Sequence, residues 1–175
     1  FKKYAKVINN NYGYDISRVG DKKADTIEKG QPVTIQLDRE VDVSRGCILE
    51  KDTDIKVSSS ITATLLWMDD DVLENGKNYF VKLGTKLIPG IVTEIVHTVD
   101  VNTGEEKKAD KLSKNEIALC TISLADKIVV DEFKNHKTLG ELILIDRVTN
   151  MTSACGVIEN SEVDDRTDLK CAFAY

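Results

Sequence analysis

The stretch Leu144-Ile-Asp-Arg-Val-Thr-Asn-Met-Thr-Ser-Ala-Cys-Gly-Val-Ile158 decides the fold. An apolar run from Leu142 to Ile145 leads into an acid and a base, Asp146 and Arg147. Small and hydroxyl-bearing residues follow, then a second apolar step at Gly156, Val157 and Ile158. Short β-branched runs separated by residues that turn readily describe two extended strands joined through a polar corner. Nothing in the stretch sets a nucleophile beside a base.

The same signal recurs in both directions. Runs rich in Val, Ile, Leu and Thr, bounded by Gly, Asn or Asp, predict strands near residues 5–8, 33–37, 61–67, 78–83, 86–99, 116–124, 139–146 and 154–158. In the run before Trp67, the residues Ala63, Leu65 and Trp67 share one face, and Thr62 and Thr64 the other. Asn75-Gly76 and Asn102-Thr103-Gly104 supply the residues that tolerate positive φ in tight turns. Helical periodicity is scarce, and proline occurs only at Pro32 and Pro89. The expectation is an antiparallel barrel or sandwich.

A polar, turn-rich segment over residues 51–60 marks a boundary. The part beyond it, 55–158, is long enough for a complete six-stranded antiparallel β-barrel. The part before it, 1–54, is too short for one and reads as the closing strands of another. Past Glu159 the chain turns acidic, so 159–175 is expected to be a loose tail or linker with at most one helical turn. A start at Phe1, with no Met and no signal-peptide pattern, favours a piece of something longer.

Composition narrows the function classes. The chain has 175 residues, 41% hydrophobic and 31% charged, the balance of a globular protein with a sizeable core. A net charge of -6, with the lysines scattered, argues against a nucleic-acid groove, which needs clustered cations. No apolar run approaches the roughly 20 residues of a membrane-spanning helix. Cys47, Cys120, Cys155 and Cys171 form no metal-ligand spacing, and three of them sit in strand-like segments. They read as reduced core thiols of a cytoplasmic protein rather than a disulfide framework.

Six segments, in order, carry a family resemblance. They are Gln31-Pro-Val-Thr-Ile-Gln-Leu37 with Val41-Asp-Val-Ser-Arg-Gly46; Thr64-Leu-Leu-Trp-Met-Asp69; Tyr79 to Gly84; Val92-Thr-Glu-Ile-Val-His-Thr-Val-Asp-Val-Asn-Thr103; Asn115-Glu-Ile117; and the block from Leu139 to Ile158. Together they resemble the barrel domains of the large, GTP-hydrolysing subunit of bacterial sulfate adenylyltransferase, a relative of the translation-factor GTPases. The resemblance implies an elongation-factor-like third domain at 55–158, preceded by the end of the second. It also implies a non-catalytic region that couples a GTPase domain to the small adenylyltransferase subunit in making adenosine 5'-phosphosulfate from ATP and sulfate.

The departures matter as much. There is no Gly-x-x-x-x-Gly-Lys-Ser/Thr phosphate cradle and no Asn-Lys-x-Asp guanine reader. No cofactor is therefore expected on this chain; GTP and magnesium belong to the GTPase domain. Asn9 to Asp25 resembles an insertion or a divergent hairpin. Where the family has Asn-Arg-x-Thr-Gly, this chain has Asn135-His136-Lys137-Thr138-Leu139-Gly140, replacing a guanidinium fork with a point-charge lysine.

The candidate contact residues are Arg45, Trp67, Asp100, Asn102, Arg147 and Asn150, read as an interdomain or partner interface. No catalytic or metal residue is assigned. Each has a plainer reading: Arg45 and Arg147 satisfy a local turn or the neighbouring Asp42 and Asp146, and Trp67 anchors the core. His97, on a face with Ile95 and Val99, reads as a hydrogen-bonded barrel histidine. Asp69-Asp70-Asp71 lacks the ligand spacing of a calcium loop and reads as a solvated turn. The expected partners are the chain's own GTPase domain and the small subunit, with no nucleic acid and no membrane. The alternative is a stand-alone β-barrel binding module without any GTPase context. Self-association is expected through open edges at residues 5–8 and 33–37.

Overall fold

A computed structural model describes residue 48, residues 56–162 and the backbone of four strands before them. The four are β1 (Lys3–Val7), β2 (Asn10–Val19), β3 (Val33–Leu37) and β4 (Leu49–Glu50). Then come β5 (Lys56–Trp67), β6 (Leu73–Glu74), β7 (Asn78–Leu83), β8 (Lys86–Val99), β9 (Glu106–Lys107), β10 (Lys111–Leu112) and β11 (Ile117–Val130). A single helical turn, α1 (Lys137–Gly140), precedes β12 (Glu141–Asp146) and β13 (Thr152–Ser161). The chain divides into two compact units, Ile55–Asp165 and Phe1–Asp54 with Arg166–Tyr175.

In the first unit the strand order is β11-β5-β13-β12-β7-β8, and β8 pairs back onto β11. All these pairings are antiparallel. The result is a closed six-stranded antiparallel β-barrel, whose main strands have no free edge to guard. Its interior follows from strict alternation: Ala63, Leu65 and Trp67 of β5 point inward with Val81, Ile122, Leu144, Ala154 and Ile158, all fully or almost fully buried. One end is plugged by a small ribbon in which β6 pairs with β10, burying Leu73 and Leu112.

Glycine is required where strands crowd. A Cβ on Gly156 would stand 2.5 Å from both the Leu65 side chain and the Thr64 carbonyl. Packing this tight leaves no room for one more methyl.

In the second unit, β1 pairs with β2 on one side and β4 on the other. The stretch expected to leave an open edge near Ala5 is therefore flanked by β2 and, at Lys6 and Val7, by β4, and β3 and β4 are the strands at the margins. Of the segment expected as an insertion or divergent hairpin, Asn10–Val19 forms β2, antiparallel to β1. Of the tail expected at 159–175, the first three residues are instead the end of β13; Arg45, Cys47, Cys171 and the rest of that tail from residue 163 lie outside the described residues.

Candidate functional site: the loop-bearing end of the barrel

Strands β5, β8 and β12 run in the same direction, so their C-terminal ends meet at one end of the barrel. That end gathers five of the six candidate contact residues: Trp67, Asp100, Asn102, Arg147 and Asn150. Two of its loops are built alike. After β8, the Asp100 carboxylate accepts the N–H groups of Asn102 (2.9 Å) and Thr103 (3.2 Å), while Gly104 (φ 72°) donates its N–H to the Asp100 carbonyl. After β12, the Asp146 carboxylate accepts the N–H groups of Val148 and Thr149, each at 2.8 Å, and Asn150 (φ 58°) donates to the Asp146 carbonyl. In both, a threonine hydroxyl accepts the N–H two residues on, Thr103 from Glu105 and Thr149 from Met151.

An aspartate at the strand end thus supplies, from its own side chain, the acceptors that the ladder no longer provides. Those donated N–H groups hold the Asp100 and Asp146 carboxyls below the usual carboxylate range. Asn102 and Asn150 are exposed, and Asn150 is there because it tolerates left-handed backbone.

Trp67 is corrected as a contact residue. It is fully buried, its ring meeting Tyr79 edge-on at 5.7 Å, and its indole N–H donates to the Asp71 carbonyl at 2.7 Å. It acts from beneath, by holding the loop above it. Among the described residues Arg147 forms neither a carboxylate clamp nor an ion pair with Asp146, which accepts from its own loop. Its guanidinium instead stacks over Phe80, 5.1 Å from the ring centre.

Asp70 and Asp71 are exposed in a bend, as the solvated-turn reading expects, and Asp69 is the member of the triplet that is tied down. Asp69 accepts the Ser153 hydroxyl at 2.6 Å, which lowers its pKa, and Asp70 pairs with Lys114 at 2.6 Å. Tyr79 lies buried among these carboxylates with no protein partner for its hydroxyl. Burial first, then the charges of Asp69, Asp146 and Asp71, push its pKa up.

Around these polar turns stand exposed apolar side chains: Val101, Met151 and Val148, the last 88% accessible. Their pattern is invisible to periodicity, because they are shared between two loops, Val101 after β8 and Val148 and Met151 after β12.

His97 is also corrected. A bulge puts Ile95 opposite Cys120 but His97 opposite Leu119, so His97 leaves the inner face and lies with Nε2 3.6 Å from the Glu106 carboxylate. At the opposite end of the barrel, the corner at residues 135–140 is organised by His136, not Lys137. Its Nδ1 sits 2.5 Å from Asp131, which also accepts from Asn135 at 3.2 Å and from the Glu132 N–H at 2.8 Å. Desolvation raises the Asp131 pKa, but these partners together outweigh it and lower it. Among the described residues, no three His, Cys, Asp or Glu side chains converge to hold a metal, and no helix is long and apolar enough to cross a membrane.

The closed barrel and its loop-bearing end define an elongation-factor-type C-terminal domain. The family model described as GTP-eEF1A C-terminal domain-like matches residues 60–159, and the chain belongs to that family. Within it the chain is similar to sulfate adenylyltransferase subunit 1 of Laribacter hongkongensis (39% identical over 135 residues, 76% of this chain and 28% of that protein). It is similar also to that of Pseudoalteromonas atlantica (38%, covering 77% and 29%). A third relative is the bifunctional enzyme CysN/CysC of Xylella fastidiosa (37% over 142 residues, 81% of this chain and 23% of that protein). The chain thus spans less than a third of the length of these relatives. Among solved structures, Sup35 complexed with GDP shares the fold with a TM-score of 0.77 over 93% of this chain and 41% of that one, at 17% identity.

Proposed function

We propose that this chain is the barrel region of a GTP-dependent sulfate adenylyltransferase large subunit, and that it couples a GTPase domain to the small adenylyltransferase subunit without making or breaking bonds itself. The observation that carries this reading is the similarity to subunit 1 over most of the chain, joined to a barrel end whose carboxylates are occupied by their own turns. Asp69, Asp100 and Asp146 hold loops in shape; they do not face one another as an acid–base pair. The exposed Val101, Val148 and Met151, with Arg147 laid flat on Phe80, suit contact with another protein surface. GTP and magnesium would bind on the GTPase domain, and the product of the whole assembly would be adenosine 5'-phosphosulfate.

The test is affinity capture. The tagged chain is co-expressed with the small subunit, and the Val148→Asp and Met151→Asp variants run beside it. Retention of the small subunit by the parent chain and its loss from both variants is the expected result. Failure of the well-folded parent to retain the small subunit would favour the stand-alone binding module. A phosphate-release assay on the chain alone should stay at the no-protein level with GTP or ATP; turnover clearly above it would sink the non-catalytic reading.

A further inference from the structure

Asn75-Gly76 is the one Asn-Gly pair in the chain. The two residues form the middle of the turn from β6 to β7, closed by the Lys77 N–H on the Glu74 carbonyl at 3.4 Å. Gly76 has φ 86°, a conformation that favours glycine. Both residues are exposed, and solvent reaches the turn.

An Asn-Gly pair carries a reaction of its own. The glycine nitrogen, on losing its proton to base, attacks the carbonyl carbon of the asparagine side chain. A C–N bond forms, the bond to the side-chain nitrogen breaks, and ammonia leaves a cyclic succinimide. Water then opens the ring at either carbonyl, giving aspartate or isoaspartate. Glycine permits the closure because it has no Cβ to obstruct it.

The folded barrel occupies both reacting groups. The Gly76 N–H donates to the Val92 carbonyl at 2.7 Å, which withholds its proton from base. Asn75 Oδ1 accepts the N–H of the buried Ile95 at 2.9 Å, standing in for a ladder acceptor on β8. Ring closure needs the glycine proton removed and the carboxamide carbon brought onto that nitrogen, so both bonds must break first. Val92 and Ile95 are themselves fixed in the barrel wall, paired with Ile122 and Cys120 of β11. The corner escapes only by lifting off β8.

We propose that Asn75-Gly76 is a spontaneous deamidation site held shut by the fold, reacting only in molecules whose β6–β7 corner has opened. Each opening then risks a permanent mark. In the isoaspartyl product the backbone runs through the former side chain, so the turn cannot remake both bonds. This inference does not depend on the functional reading above.

Peptide mapping by mass spectrometry tests it on the whole chain at mildly alkaline pH, folded in one arm and denatured in guanidinium in the other. The readout is the mass gain at residues 75–76 as oxygen replaces the side-chain nitrogen. Conversion should be slower in the folded chain by about tenfold or more, because a reaction through an opened state is scaled down by the fraction open. Asn75→Ser should abolish this mass gain in the denatured arm. Equal rates in the two arms overturn the proposal. So does a denatured chain in which another asparagine converts first.

Discussion

Single residues carry different loads in this barrel, and substitutions separate them. Gly156→Ala should destabilise by about 1–3 kcal/mol, because the added methyl has only the Leu65 side chain and the Thr64 carbonyl to displace. Chemical denaturation reads this directly, and an unchanged midpoint would contradict the close approach. Asn150, at φ 58°, should accept glycine with little change, whereas Asn150→Val should cost about 1–2 kcal/mol, since a β-branched side chain is crowded in left-handed backbone. Tyr79→Phe should leave stability within about 1 kcal/mol of the parent or raise it, because the lost hydroxyl has no protein partner to orphan. Burial pushes the Cys120 thiol up to about 12, so it should resist alkylation in the folded protein and react only after unfolding.

The two sibling turns are the elements whose failure would loosen one end of the barrel. Asp100→Ala and Asp146→Ala should each lower the thermal midpoint, more than the corresponding asparagine changes, which keep an acceptor for the same N–H groups. The two losses should add, because the loops share no partner. At this scale the sequence was readable wherever local rules dominate. The strands Val33–Leu37, Asn78–Leu83 and Lys86–Val99 are where alternation and turn residues put them.

It was unreadable where pairing decides. The bulge at Val96 that turns His97 outward is set by register against β11, which no local pattern records. Strand β11 runs on to Val130 through a register shift between Ser123 and Ile128, beyond the strand expected at 116–124. Leu139 and Gly140 belong to a helical turn because the Leu139 carbonyl is needed by the Asp131 N–H, not because of their own preference. The outward row of Leu87, Lys82, Ile143, Cys155 and Leu66 draws one residue from each of five strands, so no linear window reveals it.

For the whole molecule, the same logic gives a pH dependence. Asp69, Asp100, Asp131 and Asp146 are all held below their ordinary 3.8, and Glu74 and Glu132 below 4.5. A carboxyl with a lowered folded-state pKa adds stability that is complete above its unfolded value and is lost as pH falls through the folded one. The thermal midpoint should therefore be flat with respect to these groups above the ordinary carboxylate range and decline steadily below it. Calorimetry across that range checks the sign; a midpoint that rose on acidification would contradict it.

The neighbouring of β5 and β13 has a mechanical consequence. The chain enters the barrel at Lys56 and leaves it at Ser161, and these first and last strands lie side by side, antiparallel, with Ser161 opposite Ile61. Tension applied through the two ends would load their hydrogen bonds one rung at a time from that end, as a zipper opens, rather than all together in shear. Pulled from its own ends, this closed cylinder should part along a single seam and yield at low force.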